Sequence, residues 1–379
     1  MSEASSHRAV GLGAWLEVDL DALVTNLAVV ERRLDGAGVL AVVKADAYGH
    51  GAVEVARTLA ASGVERFAVA RLTEGAALRE GGVDATILLL GPLAPELFGE
   101  ARRLELVPVL NGLEQIEQWA SATTSSGAEQ QPVQLKVDTG MTRLGIAPDE
   151  LGTALGRIDA CPGLRLSGLL SHLAEAESLE SDRTVEQTRL FSELVAELPA
   201  ARLETIDLHL ANSGGALHHP LTRHSYARVG LALYGYDPVG EATGLRPVLS
   251  VHGRIGRLRR VPPGTRVGYG GTWSAARDSL IATVPIGYAD GLPLAASNRG
   301  RALCRGRRIP IVGAVSMDLV TLDATDLPRV AEGDSVRFVD GAGGLPATDL
   351  ATAAETSVYE LLCRFGNQRL PRLYRRRCD

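Results

Sequence analysis

From residue 40 onward the chain alternates short β-rich runs with stretches of helical period, and the alternation repeats eight times before residue 245. The β-rich runs are LAVVKA (40–45), RFAVA (66–70), TILLLG (86–91), LVPVL (106–110), VQLKVD (133–138), LRLSGLLSH (164–172), TIDLHLAN (205–212) and SYARVGLALYG (225–235). Amphipathic stretches such as AVEVARTLAA and TVEQTRLFSELVAEL separate them, and a further helix from Asp21 to about Leu34 precedes the first. Strands joined by helical crossovers lie parallel, and eight of them close a (β/α)8 barrel; an open doubly wound sheet shares the same periodicity. After residue 245 the runs VLSVHGRIGRLRRV, SLIATVPIGYAD, RRIPIVGAVSMDLVTLD and DSVRFVD are parted by Gly/Pro turns, with one helix candidate at 348–365. This texture predicts a mainly antiparallel β domain. The expected division is a barrel over 15–245 and a β-rich domain over 246–379, with residues 1–14 a tail available to join the latter. The run SATTSSGAEQQP (121–132) reads as a surface loop.

Several function classes drop out on composition. No run of about 18 apolar residues occurs, which argues against a membrane span. The first residues lack the charged-then-apolar pattern of a secretion signal. Cys161, Cys304, Cys363 and Cys378 have no CxxC spacing, so neither a zinc site nor a disulfide framework is expected, and a reducing cytoplasm is. A net charge of −6 gives no basic footprint for nucleic acid.

The cations are unusual. Of 39 lysines and arginines only two, Lys44 and Lys136, are lysine. Arginine stays protonated at any working pH, whereas a buried lysine readily becomes a free amine. A chain that uses arginine everywhere else therefore points to chemistry at its two lysines. In a barrel the reactive groups sit at the C-terminal ends of the strands. Lys44 ends the first β-rich run, with Gly49 and Gly51 close behind. Lys136 and Arg143 flank the end of the fifth, His172 ends the sixth, Asn212-Ser213-Gly214-Gly215 follows the seventh, and Arg228 and Gly230 lie in the eighth. Loops after the last two strands of a barrel commonly hold a phosphate. An anion site facing an amine suits pyridoxal 5′-phosphate, whose aldehyde Lys44 would bind as an imine. The adjacent His218 and His219 diverge and lack a third ligand, so no metal is expected.

The segments AVVKADAYGHGA, KVDTGMTRLG, ANS, RVGLALYG, VGYGGTW, IGYADG and SMD, in this order from about Trp15 to Tyr374, resemble those of alanine racemases. The resemblance implies a homodimeric pyridoxal-phosphate enzyme of small amino acids, with two active sites shared between subunits. It assigns Lys44 to the cofactor aldehyde and Tyr48, Ser213, Gly230, Leu231 and Tyr359 to its phosphate. Arg228 would face the pyridine nitrogen, and Arg143 the cofactor hydroxyl and the substrate carboxylate. Tyr269 and Met317 would enter from the partner subunit. Lys44 and Tyr269 would be bases on opposite faces of the cofactor, linked through His172 to Arg228, and Lys136 would be carbamylated. The alternative for Lys136 is an ordinary lysine paired with Asp138 or another acid.

Three positions depart from the family pattern. Leu294 and Ala314 stand where arginine is usual, and Leu319 where glutamine is. They leave open a racemase of broader or different substrate, such as serine. A fold-type III decarboxylase has a different lysine context, and a non-catalytic pyridoxal-phosphate carrier would need neither a second domain nor Tyr269.

Overall fold

The eight β-rich runs fold into one parallel sheet. In this computed structural model, which describes residues 13–123 and 130–376, the strands are β2 (Gly38–Val42), β3 (Arg66–Val69), β4 (Thr86–Leu89), β5 (Leu106–Leu110), β6 (Gln131–Lys136), β7 (Leu164–Leu170), β8 (Asp207–His209) and β9 (Tyr226–Val229). The preceding strand, β1, is Ala14–Asp19. Hydrogen-bonded neighbours run in the order β8-β7-β6-β5-β4-β3-β2-β9, so the sheet curls until β9 meets β8. That edge has no regular ladder. It is joined by the Arg228 N–H donating to the Ala211 carbonyl at 2.9 Å, and by Gly230 and Ala232 N–H donating to Ser213 Oγ. The sheet is thus a nearly closed barrel, as the eightfold alternation predicts. At its lower end Arg66 pairs with Asp207 at 3.1 Å and lies 4.3 Å over the Tyr226 ring. β3 and β8 are not neighbours, so this pair plugs the interior. Gly38 leaves the room, since a Cβ there would meet the Tyr226 ring at 2.4 Å.

Residues 26–47 and 52–245 form this barrel unit; residues 13–25, 48–51 and 246–376 form a second compact unit. Its main sheet has the order β16-β15-β18-β10-β1-β19, from β10 (Leu249–Arg254), β15 (Arg301–Cys304), β16 (Arg307–Pro310), β18 (Ser335–Val339) and β19 (Arg372–Arg375). A three-stranded sheet orders β11 (Arg257–Val261), β14 (Ser279–Val284) and β17 (Val320–Asp323), and β12 (Arg266–Val267) pairs with β13 (Trp273–Ser274). All pairings are antiparallel except β1 with β19. Sequence reading did not single out β1, and its hydrogen bonds go to strands more than 230 residues away, not to the barrel. The helix expected at 348–365 is two, Ala347–Ala353 and Val358–Phe365; Ser357 caps the second by accepting from the Glu360 N–H. The expected loop at 121–132 falls largely outside the described residues, as do residues 1–12 and Cys378.

One backbone feature bears on the site. After Lys44 the residues Ala45, Asp46, Ala47 and Tyr48 all have φ between 52° and 54°, one turn of left-handed helix without a glycine. Each such residue costs about 1–2 kcal/mol, so the surroundings must hold it. Glu74 does so within the barrel unit. One carboxylate oxygen accepts from the Ala45 N–H at 2.7 Å, and the other from Ala70 and Arg71 at 2.8 and 3.0 Å. Asp46 accepts from the Ala52 N–H at 2.7 Å, starting the following helix, Ala52–Ala61. Glu74→Ala strips a carboxylate acceptor from three N–H groups and is expected to destabilise the protein by about 2–3 kcal/mol in urea unfolding.

Candidate active site

Arg228, on β9, is buried in the upper half of the barrel. Its NH1 donates to His209 Nδ1 at 2.9 Å and to the His209 carbonyl at 2.7 Å. Its NH2 donates to the carbonyls of Ser171 and Leu210 and to His172 Nδ1 at 3.0 Å. The guanidinium has five N–H groups and no acceptor. Four are committed in this way, and Nε–H is the one without a partner among the described residues. Burial and the charge of Arg143 push Arg228 down to about 9, which leaves it charged at neutral pH.

His172 lies two residues past the end of β7. Gln187 holds its backbone by donating to the His172 carbonyl at 2.9 Å and accepting from the Ala174 N–H at 2.8 Å. Burial, then the charges of Arg228, Arg143, Lys136 and Lys44, keep His172 well below its ordinary value. Because Arg228 can only donate, His172 Nδ1 accepts, and the proton of the neutral ring is on Nε2.

Lys136 closes β6 and is buried. Burial pushes its amine down to about 8, and the charges of Arg228, Arg143 and Lys44 add to the push against a smaller opposing effect of Asp138. Asp138 shapes the loop carrying Arg143, its carboxylate accepting from the N–H groups of Gly140, Met141 and Thr142 at 2.9–3.1 Å. The loop returns with Asp138 N–H donating to the Ile146 carbonyl and Ile146 N–H to that of Lys136, both 2.9 Å. The charges of Lys44, Lys136, Arg143 and Arg228 all act on His172, so the structure brings these five residues into one electrostatic cluster.

Beside it, Asn212 caps the short helix Ser213–His218 by accepting from the Gly215 N–H at 3.0 Å. Ser213 Oγ accepts from Gly230 and Ala232 N–H at 3.1 and 3.3 Å. With both lone pairs engaged, the hydroxyl is left to donate. The buried Leu231 N–H has no partner among the described residues. Two aimed donors and no carboxylate suit an anion. His218, whose pairing with His219 raised the question of a metal, instead faces Asp237 at 2.9 Å.

The remaining sequence-predicted residues lie in the second unit. Tyr48 and Tyr359 pair their rings at 6.0 Å, and burial pushes the Tyr48 phenol upward. Tyr269 starts a turn between glycines of positive φ, Gly268 and Gly270, and is 76% exposed; Met317 is 53% exposed. The loop with Met317 is tied to the loop 287–291 by Tyr288 and Ala289 N–H donating to the carbonyls of Ser316 and Met317, both 3.0 Å. Arg369 joins the same loops, through Asp290 at 3.0 Å and Asp318 at 2.8 Å. Tyr288, Leu294 and Leu319 are exposed there as well.

Sequence reading missed Glu74, Gln134 and His209. Gln134 stands two residues before Lys136, hence on the same face of its strand, and was the available signal.

The alanine racemase N-terminal domain family model matches residues 18–238, and the C-terminal domain model residues 248–374. Curated alanine racemases from Sorangium cellulosum and Synechocystis are 42% and 40% identical over 372 and 367 residues, each covering 95% of this chain and 98% of the relative. The solved alanine racemase of Bartonella henselae, with covalently bound pyridoxal phosphate, superposes with a TM-score of 0.87 at 32% identity over 96% of this chain and 99% of that one. The biosynthetic alanine racemase of Pseudomonas aeruginosa superposes with a TM-score of 0.88 at 37% identity over the same shares.

A lysine depressed in the folded state releases its proton before the unfolded chain does, so folding is penalised below the folded value and the penalty lifts as pH rises. In carbon-dioxide-free buffer the protein should therefore gain stability from about pH 8 towards 10.5. Lys136→Met should lose that part of the gain, read as the difference between the two urea-unfolding profiles.

Proposed function

The chain belongs to the alanine racemase family, and we propose that it interconverts L-alanine and D-alanine with pyridoxal 5′-phosphate, using Lys44 and Tyr269 as bases on opposite faces of the reacting carbon. The observation that carries this reading is the Arg228 cluster: a buried guanidinium with one N–H uncommitted, beside an anion cradle and bonded to His172, on which both lysines act. The donor set fits the cofactor. Ser213 and Leu231 offer hydrogens to a phosphate, and the resemblance adds Gly230, Tyr48 and Tyr359.

Bound through its aldehyde, the cofactor supplies an electron sink that acidifies the Cα–H of the substrate. Lys44 would hold the aldehyde and, once freed, would take or return the Cα proton on one face. Tyr269 of a second copy serves the other face. A phenol has an ordinary pKa of about 10, too high for a base at neutral pH. The proton on His172 Nε2 is a donor available to the Tyr269 oxygen, with the Arg228 charge behind it. Arg228 would face the ring nitrogen and, as a guanidinium, keep its proton, which would limit the sink and disfavour protonation at the wrong carbon. Arg143 takes the substrate carboxylate, and Met317 of the second copy lines the same space. Lys136, pushed towards the free amine, adds to carbon dioxide with loss of one proton; the resulting anion relieves the crowding of cations and orients Arg143.

A homodimer with shared sites is supported by the exposure of Tyr269, Tyr288, Leu294, Met317 and Leu319 in one set of tied loops. Leu294, Ala314 and Leu319 favour a second reading, a racemase with a broader range that includes serine. Among the described residues no helix is long and apolar enough to cross a membrane, and no disulfide joins Cys161, Cys304 and Cys363. The reading places the enzyme in the cytoplasm, where D-alanine would feed peptidoglycan precursors.

A chiral assay over a panel of amino acids tests the reaction and separates the two readings; retention of configuration throughout would refute both. Within it, Tyr269→Phe should lower racemisation by about 10²–10⁴-fold. The variant should still exchange the α-hydrogen of D-alanine with deuterated water through Lys44 while losing that exchange for L-alanine. Equal exchange of both enantiomers would point to a single mobile base.

The dimer is tested by mixing. Neither Lys44→Ala nor Tyr269→Phe homodimers have a complete pair of bases, but a mixed dimer has one complete site of two. Activity should reappear on subunit exchange, and its absence after proven exchange would mean that each site is built from one chain.

A further inference from the structure

His209, the last residue of β8, is wholly buried, and nothing in the two-base scheme uses it. Its Nδ1 lies 2.9 Å from Arg228 NH1 and its Nε2 lies 2.8 Å from Gln134 Oε1. Arg228 has hydrogens but no lone pair to offer, so Nδ1 must accept and carries no proton. Burial, then the charges of Arg228, Arg66 and His224, hold the ring well below its ordinary value, which keeps it neutral. Its one proton is therefore on Nε2, and Gln134 must turn its oxygen, not its amide nitrogen, towards the ring. The barrel makes room for that amide. The pairing of β6 with β7 shifts register between Val133 and Gln134, and the facing residue is Gly168, where a Cβ would lie 2.7 Å from Gln134 Nε2.

We propose that Gln134 and His209 are positioning residues for Arg228: they fix His209 as the neutral Nε2–H tautomer, and that tautomer sets the guanidinium so that Nε–H is left for the cofactor ring. The inference rests on the reading that Arg228 meets the ring nitrogen. The alternative states show what the pair prevents. A proton on His209 Nδ1, in the neutral or the charged ring, would face the NH1 hydrogen donor to donor. The guanidinium would have to turn, and its bonds to the carbonyls of Ser171, His209 and Leu210 would break. Because no group in the Gln134–His209 relay titrates near neutrality, the orientation of Arg228 is independent of pH over the working range.

Two variants separate this role from simple packing. Asparagine places its oxygen near the position of imidazole Nδ1, and glutamine places its amide nitrogen near that of Nε2. Both delete the ring and leave a comparable space, but only His209→Asn keeps an acceptor for Arg228. The kcat for alanine should fall at least about tenfold further in His209→Gln than in His209→Asn, with KM little different between them. Equal losses in the two would overturn the proposal. The second measurement needs no variant: nitrogen-15 NMR of histidine-labelled holoprotein should report His209 with a bare Nδ1 and a protonated Nε2, unchanged across the pH range in which the protein stays folded. A protonated Nδ1 would overturn the proposal. This arm reads the imidazole directly, so it decides the tautomer even if the chain racemises nothing. Gln134→Glu, whose carboxylate favours the charged ring, should give His209 a titration that the native protein lacks; a ring that stays neutral in that variant would also count against the relay.

Discussion

The buried guanidinium of Arg228 is the interaction on which the site depends. Where β8 and β9 lack a regular ladder, its backbone N–H and its side chain supply the bonds across the gap, to the carbonyls of Ala211, His209, Leu210 and Ser171. A barrel closed by backbone ladders alone would leave no such group at its mouth. The group that completes the fold here is also the charge that acts on the neighbouring ionisable side chains.

Arg143, Lys136 and Lys44 add like charge to that of Arg228, and Asp138 offsets only part of the effect on Lys136. A cluster of like charges in a low-dielectric interior is costly unless some members lose their protons or an anion arrives. Both routes suit the proposed chemistry, which needs a free amine, neutral imidazoles, a phosphate and a substrate carboxylate. The barrel core of Phe98, Trp119, Phe191 and their aliphatic neighbours supplies the rigidity against which this repulsion is held.

The barrel was legible because each of its strands is a short apolar run bounded by turns, a local signal. β1 was not, because AWLEVD looks like the lead-in to the helix after it and becomes a strand only by pairing with distant residues. The left-handed turn at 45–48 was equally hidden. KADAY has the composition of an ordinary right-handed turn, and its left-handed form is held by Glu74, 29 residues on from Ala45, a partner that local sequence does not reveal. In the site, Lys44 and Lys136 stood out against a background of arginine. Gln134 and His209 did not, since a lone polar residue in a strand has no visible partner until the barrel brings the two strands together.

The scarcity of lysine has a consequence for chemoselectivity. Lys136 is buried and Lys44 is half-buried beside the turn, so the surface of the chain presents arginine where other proteins present lysine amines. Guanidinium groups do not condense with aldehydes under physiological conditions as amines do. An aldehyde in solution therefore meets a surface on which no lysine can capture it at the wrong place. If Lys44 is the attachment point, as proposed, discrimination against all others comes from removing the competitors and not from sharpening a single pocket.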